Sequence, residues 1–132
     1  MTLRVPHRIL VVDDWPEVRE VVAKLFTDAG FEVSEACDLQ EARFVIATAP
    51  PDILITDYFL PDQSAEFIPW LKRRYPKMPV IVLSASPGEA EQSMPDADVI
   101  LSKPIALATL VQAVLRFVDL IEAEQLCGGI TN

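Results

Sequence analysis

Apolar residues along this chain fall into two patterns, short unbroken runs and longer stretches where they recur every three or four positions. The unbroken runs are Ile9-Leu10-Val11-Val12, Ile53-Leu54-Ile55, Val80-Ile81-Val82-Leu83 and Val99-Ile100-Leu101. Short, β-branched runs without alternation suit strands covered on both faces, the habit of parallel sheets. Phe31 to Ala36 alternates instead and reads as a half-buried strand nearer an edge. Helical spacing fills the intervals. Val18, Val21, Val22, Leu25, Phe26 and Ala29 follow Pro16, which suits a first helical turn, and Gly30 closes that helix. Asp38 is placed to cap a second helix, with Glu41 three residues on as a capping-box partner. Leu39, Ala42, Phe44, Val45 and Ile46 give it an apolar side, and Pro50-Pro51 stops it.

From about Glu66 to Tyr75 a shorter helix carries Phe67, Ile68 and Leu71 inward, with Pro69 in or near its first turn. Lys72, Arg73 and Arg74 near its end complement the helix dipole. A long last helix, Leu107 to about Leu126, buries Leu107, Leu110, Val111, Val114, Leu115, Val118 and Ile121. Only eighteen residues separate Ser84 from Lys103, with Pro87, Gly88 and Pro95 among them. Little more than two helical turns fit there, so the fourth helix is expected to be short, irregular or missing. Strands alternating with helices predict an α/β fold, a doubly wound five-stranded parallel sheet covered on both faces. No repeat, low-complexity segment or linker interrupts it. The expectation is one domain over residues 8–126 with a short tail, 127–132.

Composition narrows the function classes. At 132 residues and 51% hydrophobic content, the chain can build one proper core. No run is long enough to span a bilayer, and Met1 to Arg8 lacks a signal-peptide apolar region, so a cytoplasmic protein without membrane insertion is expected. Twenty acidic residues against eleven basic ones give a net charge of -9, without a Lys/Arg-rich block. That argues against direct nucleic-acid binding and is compatible with a cation site. Cys37 and Cys127 follow no metal-ligand spacing and read as reduced structural thiols. The lone His7 has no evident partner in the sequence.

Each apolar strand except the alternating one ends in a chemically useful side chain: Asp13-Asp14, Asp57, Ser84 and Lys103. A parallel sheet puts all strand carboxyl ends on one rim, where open α/β sheets hold their ligands. Three carboxylates together repel one another and call for a cation. Hard oxygen ligands with room for water favour Mg²⁺. An aspartate beside such a cation can act as nucleophile towards a phosphoryl group, giving an acyl phosphate. The transferring group then needs a metal, a cation and a hydrogen-bond donor around its oxygens. Asp14 and Asp57 would supply the metal, Lys103 the cation and Ser84 the hydroxyl.

With these residues in view, the chain resembles the receiver domains of two-component response regulators, over roughly Arg8 to Leu126. The motifs that carry the likeness are Ile9-Leu10-Val11-Val12-Asp13-Asp14, then Pro51-Asp52-Ile53-Leu54-Ile55-Thr56-Asp57 with Leu60-Pro61. Leu83-Ser84-Ala85 and Leu101-Ser102-Lys103-Pro104 complete them. The resemblance implies a flavodoxin-like strand order 2-1-3-4-5. It implies Asp57 as phosphoacceptor from a histidine kinase or a histidine phosphotransfer protein, with Asp13, Asp14, Asp57 and the Phe59 carbonyl around Mg²⁺. It further implies that Ser84 and Lys103 contact the phosphoryl group and that the Lys103-Pro104 peptide is cis. The expected role is a single-domain response regulator signalling by protein–protein contact to a downstream protein of unknown identity. It would be a phosphoacceptor that assists its own phosphorylation and dephosphorylation, not an enzyme. A homodimer is left open.

The chain departs from the family pattern in three places. Ile100 stands at the switch position, three residues before the lysine, where the family usually has Tyr or Phe. Ala65 stands where Gly commonly follows the phosphoacceptor segment. The third departure is the cramped fourth helix. These departures bear on signalling more than on the phosphorylation chemistry. One alternative is a pseudo-receiver, a binding module that keeps the fold without switching. Another is an aspartate-nucleophile phosphatase; such enzymes resemble one another in a second aspartate two residues after the nucleophile, and Phe59 stands at that position here.

Overall fold

The computed structural model describes residues 6–130, and side chains through residue 126. The elements are β1 Arg8–Val12, α1 Pro16–Asp28, β2 Glu32–Ala36, α2 Leu39–Thr48 and β3 Ile53–Asp57. They continue with α3 Phe67–Arg74, β4 Val80–Ser84, α4 Pro87–Ser93, β5 Val99–Ser102 and α5 Leu107–Ile130. All strands pair in parallel, in the order β2-β1-β3-β4-β5. Fold class, strand order and the short fourth helix are those read from the sequence.

Alternate residues of each strand point to opposite faces, so the unbroken apolar runs feed two cores at once. Leu10, Val12, Leu54, Val80 and Val82 pack under α2, α3 and α4. Ile9, Val11, Ile53, Ile55, Ile81 and Leu83 pack under α1 and α5. The alternating strand β2 is indeed at an edge, with only Ala36 fully buried.

Helix ends are set by named contacts. Gly30 adopts φ +102 after α1, a left-handed conformation that favours glycine. The Phe31 N–H then reaches back to the Phe26 carbonyl (3.0 Å) and the Gly30 N–H to Thr27 (3.0 Å). Phe31 packs edge-on to Phe26, with ring centres 5.7 Å apart, completing a Schellman cap. At α2, Asp38 Oδ1 accepts from the Glu41 N–H at 2.8 Å, as expected. The capping box is displaced, however: Glu41 Oε1 accepts from the Cys37 N–H (2.9 Å), one residue earlier than the motif requires. Asp62, from the loop after β3, takes the Leu39 and Gln40 N–H groups at 2.9 and 3.1 Å.

Several expectations need correction. Phe44 is 72% exposed, because α2 turns Leu39, Ala42 and Ile46 inward and residue 44 lies well off that stripe. Val21 of α1 and Leu107 and Leu115 of α5 are likewise exposed, while Val22, Leu110 and Val114 beside them are buried. The last helix runs to Ile130 rather than ending near Leu126. Its 24 residues extend about 36 Å; Val118 and Ile121 pack against the core while Leu120 and Leu126 meet solvent. The Cys127 side chain and residues 131–132 of the expected tail lie outside what is described; Cys37 is a free thiol. His7 has partners after all: Nε2 lies 3.1 Å from Glu122 Oε2 and Nδ1 3.7 Å from Asp52 Oδ2. No described helix is long and apolar enough to cross a membrane.

Lys72 does more than complement a helix dipole. Its Nζ donates to the Met78 carbonyl and to Asp98 Oδ2, each at 2.7 Å, and the same oxygen accepts from the Val80 N–H at 2.7 Å. This bond network ties α3 to the start of β4 and the entry to β5. Asp98→Ala should therefore cost about 1–3 kcal/mol in urea unfolding, since it strands a buried backbone N–H and an ammonium. An unfolding midpoint unchanged from wild type would show that the network carries no stability.

Candidate carboxylate site at the strand rim

The rim forms because β1, β3, β4 and β5 all end on the same side of the sheet. β1 delivers Asp13, whose side chain is fixed by the turn into α1: Oδ1 accepts from the Trp15 N–H at 2.9 Å. Arg19, one turn into α1, braces the same turn. Its Nη1 donates to the Asp13 carbonyl at 2.9 Å and its Nε to Glu35 Oε1 on β2 at 3.0 Å. β3 delivers Asp57, buried at the end of a strand with no exposed residue. Carboxylate oxygens of Asp13, Asp14 and Asp57 lie within 4.8 Å of one another. Asp13 and Asp57 are buried, and Asp14 is half-buried.

Lys103 closes the cluster from the end of β5. Its Nζ stands 3.0 Å from Asp57 Oδ1 and 3.6 Å from Asp13 Oδ2. The second distance is too long for a hydrogen bond, and Asp13 Oδ2 is left buried without a hydrogen-bond partner. A buried anionic oxygen without a donor is costly. One ammonium facing three carboxylates leaves the rim short of positive charge. The donors are all hard oxygens, as a divalent cation of the Mg²⁺ or Ca²⁺ kind requires. The residues present therefore fit such an ion.

Charge and burial act on the same groups. Burial pushes the Asp57 carboxyl above its ordinary value, while the bond and charge of Lys103 pull it back and Asp13 adds to the rise. For Lys103 burial works against the ammonium, but Asp57 and Asp13 outweigh it and hold the proton more tightly than usual.

The remaining expected residues are also located. Ser84 ends β4, one residue beyond the Leu83 that pairs with Asp57, and its carbonyl accepts from the Lys103 N–H at 2.9 Å. Its buried hydroxyl oxygen accepts from the Ser86 N–H (2.9 Å). The Lys103-Pro104 peptide is cis. Phe59 is half-exposed, packed edge-on to Tyr58 at 4.7 Å. Ile100 is partly buried against the core beneath α4. Sequence reasoning missed three side chains: Arg19, Asp62 and Tyr58, whose hydroxyl lies 3.1 Å from Ser93 Oγ in α4. Each acts on a partner distant in sequence, and no local spacing announces it.

Comparison with known proteins agrees with this geometry. Residues 9–115 match the family described as the response regulator receiver domain. The phosphate regulon transcriptional regulatory protein PhoB of Pseudomonas aeruginosa is 36% identical over 118 residues, 82% of this chain and 51% of that protein. The KDP operon transcriptional regulatory protein KdpE of Escherichia coli is 38% identical over 112 residues, 82% of this chain and 49% of that protein. The chain thus spans about half the length of these relatives. Among solved structures, the chemotaxis response regulator CheY4 of Vibrio cholerae superposes with a TM-score of 0.77 at 28% identity, covering 86% of this chain and 99% of that one.

The raised Asp57 carboxyl has a definite pH signature. The folded protein holds this proton more tightly than the unfolded chain does. The stability it contributes is therefore present at low pH and lost as pH rises through the raised value. An NMR titration of the metal-free protein should place the Asp57 midpoint above the ordinary 3.8. Lys103→Ala should move it higher still, because the ammonium is what holds it down. A midpoint that falls on removing Lys103 would contradict this account.

Proposed function

The chain belongs to the response regulator receiver domain family, and on that premise we propose that Asp57 accepts a phosphoryl group from a phosphohistidine donor in a Mg²⁺-dependent reaction. Receiver domains of this family act as phosphoacceptors rather than as turnover enzymes. The observation that carries the proposal is the cluster of Asp13, Asp14 and Asp57 with Lys103 on Asp57 and Asp13 Oδ2 left unpartnered. Asp13, Asp14 and Asp57 would hold Mg²⁺, with the Phe59 carbonyl as a further ligand. When bound, the ion offsets negative charge on the phosphoryl oxygens.

The protein's own groups divide the rest of the work. An oxygen of Asp57 forms a bond to phosphorus as the donor's P–N bond breaks, and that electron pair returns to the imidazole nitrogen. Lys103, already 3.0 Å from Asp57, supplies a fixed positive charge where the phosphoryl oxygens come to lie. Ser84, whose oxygen is occupied as an acceptor, keeps its O–H free to donate to one of them. The donor would be a histidine kinase or a histidine phosphotransfer protein, and the setting cytoplasmic. We take residues 8–126 as the receiver unit.

For the switch we propose a route other than the one at residue 100. Ile100 is β-branched and has no polar tip to trade between exposed and buried positions. The segment that follows Asp57 touches the end of α4 and its cap residue Met94 instead. Tyr58 meets Ser93 at 3.1 Å, and Gln63 Nε2 donates to Met94 Sδ at 3.8 Å. A change at Asp57 can reach α4 through these contacts and act on the loop around it, residues 85–98.

Incubation with acetyl phosphate and Mg²⁺ should add the mass of one phosphate to the wild type and none to Asp57→Ala. Lys103→Ala should fold but respond weakly. A phosphate mass retained in Asp57→Ala would place the acceptor elsewhere, and an unmodified wild type would favour a non-switching binding module. Hydrogen exchange with and without beryllofluoride should change most within residues 85–98. Changes centred on Ile100 with that loop unaltered would overturn the proposed route.

A further inference from the structure

More than half of the described positive charge in this acidic chain is paired with carboxylates. Among the described residues, every lysine lies within 4 Å of a carboxylate, as do Arg8 and Arg19. Arg43, Arg73, Arg74 and Arg116 do not. Two of these four flank a single indole. The Arg43 guanidinium carbon stands 4.4 Å from the Trp70 ring centre and 5.4 Å from that of Phe67. The Arg74 carbon stands 5.8 Å from the Trp70 ring centre. Trp70 in turn stacks on Phe67, with 29° between the rings.

A guanidinium over an aromatic ring uses its face, while its five N–H donors lie in its plane. A position over the ring compatible with that geometry leaves N–H donors of Arg43 and Arg74 available and also limits the freedom that binding would otherwise have to remove. No described carboxylate meets either fork.

We infer that this face of α2 and α3 is a docking surface for an acidic segment of a partner protein, in which side-chain carboxylates pair with Arg43 and Arg74 and an apolar residue covers Trp70. Charge complementarity singles out an anionic partner. The net charge of -9 disfavours a long phosphate polymer, which would be repelled along the rest of the surface. A short acidic peptide needs to approach only the basic spot. Arg74 lies in the last turn of α3, which leads back to the start of β4. The surface thus extends to the end of the sheet opposite Asp57, and its use does not depend on the proposed phosphorylation.

The test is an NMR titration of the full chain with a short glutamate oligomer, read at the Trp70 indole N–H. Binding should shift that signal, weaken with salt, and fall roughly tenfold in Arg43→Gln and in Arg74→Gln. Arg43→Lys should also bind less well, since it keeps the charge without the planar fork. Arg116→Gln, an equal loss of charge on α5, should bind as the wild type does, and so should Asp57→Ala, which separates this inference from the phosphoacceptor reading. Thermal melts of each variant confirm that folded protein is being compared. Affinity unchanged in both glutamine variants would overturn the proposal. So would an unmoved Trp70 signal, or tighter binding of a DNA oligonucleotide or of phosphatidylserine vesicles than of the glutamate oligomer.

Discussion

The contact between Lys103 and Asp57 is what makes the rim tolerable to the fold. Asp57 and Asp13 sit at the ends of strands with almost no exposure, and carboxylates out of water must be paired or neutralised. A single ammonium at 3.0 Å serves Asp57, and at 3.6 Å it falls short of a bond to Asp13. The core can accommodate this because both faces of the sheet are closed by apolar clusters that contain none of these carboxylates. Stability is built below, and the charge imbalance is left at the edge where a cation and a phosphoryl group could meet it.

Around that imbalance the structure is braced unevenly. The turn after β1 is held by Arg19, which bonds the Asp13 carbonyl and anchors itself on Glu35. The loop after β3 is held by Asp62, which takes two N–H groups at the head of α2. On the other side α4 has seven residues and buries little beyond Ala90. Beyond shared apolar packing, the described polar contacts between the Asp57 segment and α4 or its cap residue Met94 are one hydroxyl pair and one amide–thioether contact. Elements with few buried contacts open most readily. An altered charge at Asp57 therefore meets stiff surroundings towards α1 and α2 and softer ones towards α4.

The sheet was readable from the chain alone because a strand buried on both faces has a signature with few competitors. Four apolar runs, each ending in a polar residue, already implied a shared rim, and the parallel arrangement followed from the helices between them. The placement of Asp13, Asp14, Asp57, Ser84 and Lys103 at the rim was readable for the same reason: they are tied to strand ends, and strand ends are local features. Helix faces were less legible. An apolar residue at helical spacing can sit just off the buried stripe, as Phe44 and Leu115 do, because the width of the stripe depends on what packs against it.

Only the tertiary structure decided which polar groups would meet. Lys72 finding Asp98, Asp62 capping α2, Tyr58 reaching Ser93 and Arg43 stacking on Trp70 all join residues with no mutual spacing rule. Hydrophobic burial is non-directional and periodic, so it leaves a pattern along the chain. A hydrogen bond or a guanidinium stack depends on distance and angle between two particular groups. Those are set only once the helices have docked on the sheet.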